Sequence, residues 1–313
     1  MGKTDTLGRL LRSPRQLVFV ILGKSGLRCL PDAAFLKLMY RLRFGKNLRL
    51  NQPVSYNEKL QWLKLHDRNP EYVIDVDKYA VRDKISKVLS DDVLIPVLGV
   101  YESPEDIAFD RLPKRFVMKC THGTHCSIIC RDKDTFDFEN AKRKLNTWLK
   151  HNYYYDAREW PYKEIPPRIV IEQFISDAHG DIIDYKFMCF HGKVKLILVH
   201  QDINNEKGKH TLDLYTPDWK LTEIEWGIPR SGRQLPRPDL LDECFRIAEI
   251  LSRDRAHVRV DLYIVDGHVY FGELTYYTAA GFKPFRSMED DIRIGSWISL
   301  ERIEPGNERN PRG

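Results

Sequence analysis

Two acidic residues twelve positions apart, Asp261 and Glu273, flank an Asp266-Gly267 turn signal inside the segment from His257 to Thr275. If the segment is a β-hairpin, such acids can meet across its strands, and two oxygen ligands at that spacing suit Mg²⁺. The turn decides whether they meet. A two-residue turn pairs Val265 with His268 and puts Glu273 on the face of Val260, Leu262 and Ile264. A three-residue loop ending in a left-handed Gly267 pairs Ile264 with His268, which sets Arg259, Asp261, Glu273 and Thr275 on one face. Burying a lone carboxylate costs several kcal/mol, more than a choice of turn type, so the second register is expected. Asp261 and Glu273 are then diagonal neighbours, with Arg259 directly across from Glu273. The same residues also describe a salt-bridged sheet face that needs no metal.

Lys119 closes an apolar run at the mouth of the small polar loop Thr121-His-Gly-Thr-His125, where an ammonium can reach a phosphate lined by backbone N–H groups. A solvated lysine at a strand end has the same sequence appearance. His122, His125, Cys126 and Cys130 supply zinc-type donors, but their spacing matches no standard finger. Tyr153, Tyr154, Tyr155, Trp160 and Tyr162 offer rings for stacking on sugars or for packing an irregular loop. Asp75-Val-Asp77 has the form of a nucleotide-sugar metal motif, yet Asp77 also reads as a helix cap.

The elements that must hold these residues are legible in outline. Ser55-Tyr-Asn-Glu58 is a capping box before Leu60, Trp62, Leu63 and Leu65. A second helix is expected from Asp77 as N-cap, with Val81, Ile85, Val88 and Leu89 on one face and Lys78 in its first turn. Phe116 to Cys120, Ser127 to Cys130 and Arg168 to Ile171 read as strands, and Ala141, Leu145, Trp148 and Leu149 as a helix. Asp184 to Val199 reads as a hairpin through His191-Gly192, and Leu240, Cys244, Ile247, Ala248 and Leu251 as a helix. The fold class is α+β with mainly antiparallel sheets.

With 313 residues, 42% of them hydrophobic, and no low-complexity tract or repeat, the chain can bury a sizeable core, which excludes disordered, collagenous and solenoid classes. Leu17 to Leu22 is far short of the ~20 residues of a membrane helix, and no secretory signal follows it, so a cytoplasmic protein with six reduced cysteines is expected. Residues 1–50 carry eleven Lys or Arg against Asp5 and Asp32, a net charge of +9. That segment suits the anionic inner face of a membrane, or a helix packing its apolar run into the core. No nucleic-acid motif accompanies the charge, so no nucleic acid is expected as partner.

Asp77-Lys78, Phe116-Val-Met-Lys119, Ile169-Val-Ile-Glu-Gln-Phe-Ile175, Val260-Asp261 and Phe271-Gly-Glu-Leu-Thr275 follow in the order found in ATP-grasp enzymes. With Ser55 to Trp62, Asp77 to Arg82 and Lys119-Cys-Thr-His122, the chain from about 52 to 300 resembles the TupA-like branch, named for teichuronopeptide biosynthesis. The resemblance implies two α+β subdomains gripping ATP, at 76–171 and 172–300, after a basic helical region 1–75 and before a flexible tail 301–313. It implies ATP and Mg²⁺, with Lys78, Lys119, His122 and Gly123 at the phosphates and Glu172, Gln173, Phe174 and Ile175 as an adenine hinge. Asp261 and Glu273 would bind the metal, with Thr275 at a third position where the wider superfamily has Asn. Lys119, Lys186, Arg259 and Lys283 are the catalytic candidates, the last three to hold a substrate carboxylate or its acylphosphate, and Gly281 could bring a backbone N–H to the same oxygen. The implied reaction activates a carboxylate as an acylphosphate and joins it to an amine. The implied substrates are a uronic acid of a cell-surface polysaccharide and an amino acid or related amine. A glycosyltransferase using Asp75 and Asp77, a sugar kinase and a noncatalytic scaffold are the rival readings.

Overall fold

The computed structural model describes residues 18–20, 22, 27–176, 182–201 and 210–301. The basic region is thus described in part, and of the tail 301–313 only Glu301 lies within the described residues.

The helices are α1 (Asp32–Phe44), α2 (Tyr56–His66), α3 (Glu71–Val76), α4 (Val81–Val88), α5 (Phe138–Leu149), α6 (Tyr154–Ala157), α7 (Leu241–Leu251) and α8 (Met288–Ser296). Helix α2 starts where the sequence says it should. Ser55 accepts the Glu58 N–H while the Glu58 carboxylate accepts the Ser55 N–H, so two otherwise orphaned donors are satisfied reciprocally. Among the described residues no helix is long and apolar enough to cross a membrane. The Leu17 to Leu22 run is described at Val18, Phe19, Val20 and Leu22, and there Phe19 and Leu22 pack against the cluster of Phe35, Leu36, Met39, Tyr40 and Phe282.

Helix α4 corrects the expected start at Asp77. One Asp77 oxygen accepts the N–H groups of Tyr79 and Ala80 at 2.9 and 3.1 Å, closing a turn that delays the helix to Val81. Lys78 therefore lies in the turn before the helix. Val81 and Ile85 are buried, while Val88 is exposed.

Strands β1 (Val97–Tyr101), β2 (Phe116–Cys120), β3 (Ser127–Cys130) and β4 (Ile169–Gln173) form an antiparallel sheet in the order β1-β4-β2-β3. Its apolar face packs Phe116, Met118, Ile169 and Ile171 against Ala141 and Leu145 of α5. A second antiparallel sheet holds β5 (Asp184–Phe190), β6 (Lys193–Gln201), β7 (Thr211–Tyr215), β8 (His257–Val265) and β9 (His268–Thr275), ordered β7-β6-β5-β8-β9. The larger core lies on this sheet, where Phe187, Val258, Val260 and Leu262 meet Cys244, Ile247 and Ala248 of α7.

The β8–β9 hairpin reaches the expected face by a different route. Its turn has two residues, Asp266 and Gly267 at φ 50° and 74°, and Val265 faces His268. Asp-Gly is a favoured pair for a turn with both residues left-handed, whose twist matches the strands. The register then slips by one inside the strands: Leu262 faces Phe271, yet Asp261 faces Glu273, which leaves Gly272 as the extra residue of a bulge. Glu273 thereby escapes the apolar face, as its charge requires. The acids are directly opposed rather than diagonal, and Thr275 rather than Glu273 faces Arg259. A Cβ at Gly272 would lie 3.0 Å from the Asp261 carbonyl oxygen and 3.0 Å from the Tyr263 ring, so glycine suits the bulge.

Candidate active site

Residues far apart in sequence meet where the turn before α4 comes against the β8–β9 hairpin. In the turn before α4, the Lys78 ammonium donates to the Gly123 carbonyl at 2.6 Å and lies 3.6 Å from Glu273 Oε2. It joins the loop after β2 to the hairpin of the second sheet. One helical turn on, Arg82 reaches Glu172 at 3.4 Å, and Lys119 donates to the other Glu172 oxygen at 2.6 Å. Lys119 and Glu172 sit on neighbouring strands β2 and β4.

Around the hairpin, charges alternate. Arg259 donates through Nε to Asp261 Oδ1 at 2.6 Å, and through Nη2 to Asp261 Oδ2 at 2.7 Å and Glu273 Oε1 at 3.0 Å. Lys186, opposite Asp261 on β5, donates to Asp261 Oδ2 at 2.6 Å and to Asp184. Thr275 donates its hydroxyl to Glu273 Oε1 at 3.2 Å. Both Asp261 oxygens are thus engaged. Among the described residues Glu273 Oε2 has only the more distant Lys78 beside it, and its side chain is 29% exposed against 2% for Asp261. Both readings drawn from the sequence therefore share these atoms, since the salt-bridged face exists and still leaves an oxygen on the side of Lys78 and the Gly123 loop. All the donors are hard oxygens, which fit Mg²⁺ completed by phosphate and water. Among the described residues no three acid, His or Cys side chains converge as a closed metal cage.

The electrostatics follow from burial against this lattice of charge. Burial pushes the Glu273 carboxyl upward, but Lys78, Arg259 and Lys186 outweigh it and hold it at about 2. A carboxyl lowered in the folded state stabilises the fold above its unfolded pKa and loses that contribution as pH falls through the folded value. The difference in urea midpoint between the wild-type chain and Glu273→Gln, without metal, is therefore expected to be full above pH about 4.5 and to shrink toward pH about 2. A difference that stays constant over that range would refute the assignment. Asp184 is pushed up by burial, with Lys186 acting against the shift. Burial lowers His200 to about 3, helped by Lys186, His210, Lys283 and Arg259, so its imidazole is neutral.

Other sequence candidates lie differently. His122 is buried with Nε2 3.1 Å from the Trp148 carbonyl, which directs the imidazole to α5. Gln173 is exposed at the end of β4, and Phe174 lies under the guanidinium groups of Arg115 and Arg131 at 5.1 and 5.6 Å. Ile175 is half-buried. Lys283 has no carboxylate or hydrogen-bond partner among the described residues. Burial, then Arg259, lowers its ammonium to about 8, and it sits 5.7 Å over the Trp226 ring. Asp75 is held by Lys84, Arg255 and Tyr276, and Asp77 by Arg168, so neither is free to serve the metal motif their spacing suggested. Of the aromatic stretch, Tyr154 and Tyr162 are buried and Trp160 donates to the Asp67 carbonyl, which is loop packing.

The sequence reading missed Asp184, Arg82, Gln61 and Lys64. Asp184 had a signal, since it shares a strand face with Lys186 at a spacing of two. Arg82 and Gln61 lay within the motifs Asp77 to Arg82 and Ser55 to Trp62 that carry the resemblance, but the contacts through which they and Lys64 act join distant segments and left no local signal.

Residues 58–299 match the family model described as TupA-like ATPgrasp. No curated protein matches the chain. Among solved structures it is similar to the ATP-grasp ligase PsnB complexed with minimal precursor, Mg and ADP, at 11% identity over 79% of this chain and 66% of that one, TM-score 0.41. It is similar to D-alanine–D-alanine ligase from Bacillus anthracis complexed with ATP, at 17% identity over 65% and 55%, TM-score 0.38. D-Alanine–D-alanine ligase from Helicobacter pylori is similar at 12% identity over 80% and 68%, TM-score 0.42. The chain spans less than two thirds of the PsnB and Bacillus anthracis chains.

Proposed function

Because the chain belongs to the TupA-like ATP-grasp family, we propose that it is an ATP- and Mg²⁺-dependent ligase that joins a carboxylate to an amine through an acylphosphate. The reading is supported above all by one convergence: Lys78 bridges the Gly123 loop and Glu273, as a site joining the phosphates to the acid pair would need. In this reading a substrate carboxylate oxygen attacks the γ-phosphorus of ATP, forming a C(O)–O–P link as the bond to ADP breaks. The amine nitrogen then attacks the acyl carbon, the C–N bond forms, phosphate leaves and the nitrogen gives up a proton. Lys78 and Lys119 carry phosphate charge, and Lys186, Arg259 and Lys283 line the carboxylate side, in a partly buried setting that strengthens each interaction. Asp261 and Glu273 would hold Mg²⁺, which supplies charge neutralisation and orientation of the phosphates when bound. Lys283, unpaired among the described residues, calls for an anionic substrate group.

We take the substrates to be a uronic acid of a cell-surface polysaccharide or its precursor and an amino acid or related amine. The excess of basic residues over 1–50 suits such a polyanion, or peripheral contact with anionic lipid at a cytoplasmic membrane face. The deciding experiment incubates the protein with Mg-ATP, uronosyl saccharides and mixed amino acids, and follows ADP together with product mass. Amide product with ADP supports the ligase. A phosphorylated sugar supports a kinase instead, and ADP released without need of uronate or amine overturns the reading.

A further inference from the structure

Between β9 and Lys283 the backbone takes an uncommon path. Ala279, Ala280 and Gly281 all have left-handed φ, at 50°, 53° and 65°. Two consecutive alanines in that region carry strain, which persists only where surrounding contacts impose it. Those contacts come from α2, a helix outside the hairpin and phosphate-loop elements. Gln61 Nε2 donates to the carbonyls of Ala280 and Gly281 at 3.1 and 2.9 Å. Lys64 Nζ donates to the Ala280 carbonyl at 2.8 Å, to the Ala157 carbonyl at 2.8 Å and to Gln61 Oε1 at 3.0 Å. A Cβ on Gly281 would stand 2.4 Å from Gln61 Nε2, so the turn is seated tightly on the helix.

Lys64 is an expensive residue in this position. It is 1% exposed, and among the described residues no carboxylate forms a salt bridge with it. Its partners are carbonyl and amide oxygens and the Phe282 ring, 4.8 Å away. An apolar side chain would fill the same space at less cost, unless the hydrogen bonds to the turn are what is needed. The far end of the turn is fixed as well, because Trp226 donates to the Lys283 carbonyl at 2.9 Å and Gly227 leaves room for the lysine stem.

We propose that Gln61 and Lys64 are positioning residues, which hold turn 278–281 in its left-handed form and so set Lys283 beside Arg259 at the active site. The inference rests on the ligase reading only for what Lys283 binds. The groups facing Lys283 are Arg259 from β8, His200 from β6, His210 before β7 and the Trp226 ring. A turn that relaxes releases the ammonium from that setting toward water.

The test is amine labelling of the full chain with a pulse of acetic anhydride at pH 8, with modification of Lys283 read by mass spectrometry. Gln61→Leu and Lys64→Met are each expected to cut Lys283 labelling about tenfold, as its pKa returns toward that of an ordinary lysine. Adding Ala279→Gly and Ala280→Gly is expected to restore labelling to within about twofold of wild type, since glycine accepts the left-handed form without a clamp. A folded clamp variant that labels like wild type overturns the proposal, and so does a loss that the glycines fail to restore. If neither clamp variant folds, the glycine pair in the wild-type background decides, with an expected rise in thermal midpoint of about 2–4 °C. An unchanged or lower midpoint there overturns the proposal. Labelling needs no substrate, so its failure and that of the ligase assay are told apart.

Discussion

Glu273→Gln is expected to lower Mg-ATP-dependent turnover about 10²–10³-fold, the loss typical of removing one fixed charge-stabilising group, while the protein still folds. Asp261→Asn is expected to lose comparable activity and also a large part of its stability. The contrast follows from how the two carboxylates are held. Glu273 is partly exposed, and its amide replacement can still accept from Thr275 and Arg259. Asp261 is 2% exposed and takes three charged hydrogen bonds from Arg259 and Lys186. Removing its charge leaves Arg259 and Lys186 each short of one buried counter-charge, which costs about 3–5 kcal/mol. Calorimetric unfolding and ADP release, measured on both variants with and without Mg²⁺, check this. Equal destabilisation of the two, or turnover retained by Glu273→Gln, would contradict the site geometry.

Gly295→Val is expected to lower the thermal midpoint by about 6–12 °C, from overpacking of about 3 kcal/mol in a chain of this size. Gly295 sits in α8 where that helix crosses the start of α2. A Cβ there would lie 2.5 Å from both the Tyr56 nitrogen and the Val54 carbonyl oxygen. Those are backbone atoms next to the Ser55–Glu58 capping box, and Asp291 of α8 also accepts from the Asn57 N–H at 3.0 Å. The helices cannot separate without breaking these bonds. Circular dichroism melting gives the shift directly, and a change under about 2 °C would mean that the crossing yields easily.

How far the sequence disclosed this depends on whether a feature is written in adjacent residues. The capping box at Ser55 to Glu58 and the His191-Gly192 turn are local chemistry, and both are found as read. The partnership of Asp261 with Glu273 was legible because charge forbids the apolar face, yet the device behind it was not. A glycine in a strand has no unique meaning, so the bulge at Gly272 and a longer loop at Gly267 predicted the same face. Asp77 was read as the N-cap, but its bonds to the N–H groups of Tyr79 and Ala80 close a turn ahead of a helix that begins only at Val81. The bridge from Lys78 to Glu273, the orientation of His122 toward Trp148 and the hold of Lys64 on Ala280 join segments distant in sequence. No periodicity records such contacts.

The extra residue at Gly272 makes the hairpin a matter of parity. Counted from the turn, the inward and outward positions of β9 exchange roles at that residue, so the apex and the acid pair are set by separate rules. Lengthening or trimming the Asp266-Gly267 apex is absorbed on its own side of the slip only in steps that keep the count even. Removing Gly272 would leave Leu262 opposite Phe271 and Asp261 opposite Glu273 on adjacent regular rungs, so the faces would hold, whereas keeping Gly272 but pairing it with Asp261 would turn Glu273 into the core and Leu274 out among the charges. The slip at Gly272 thereby absorbs one surplus residue between the turn and the acid pair, and which face the acids take is set by where that residue is left unpaired rather than by the length of the strand.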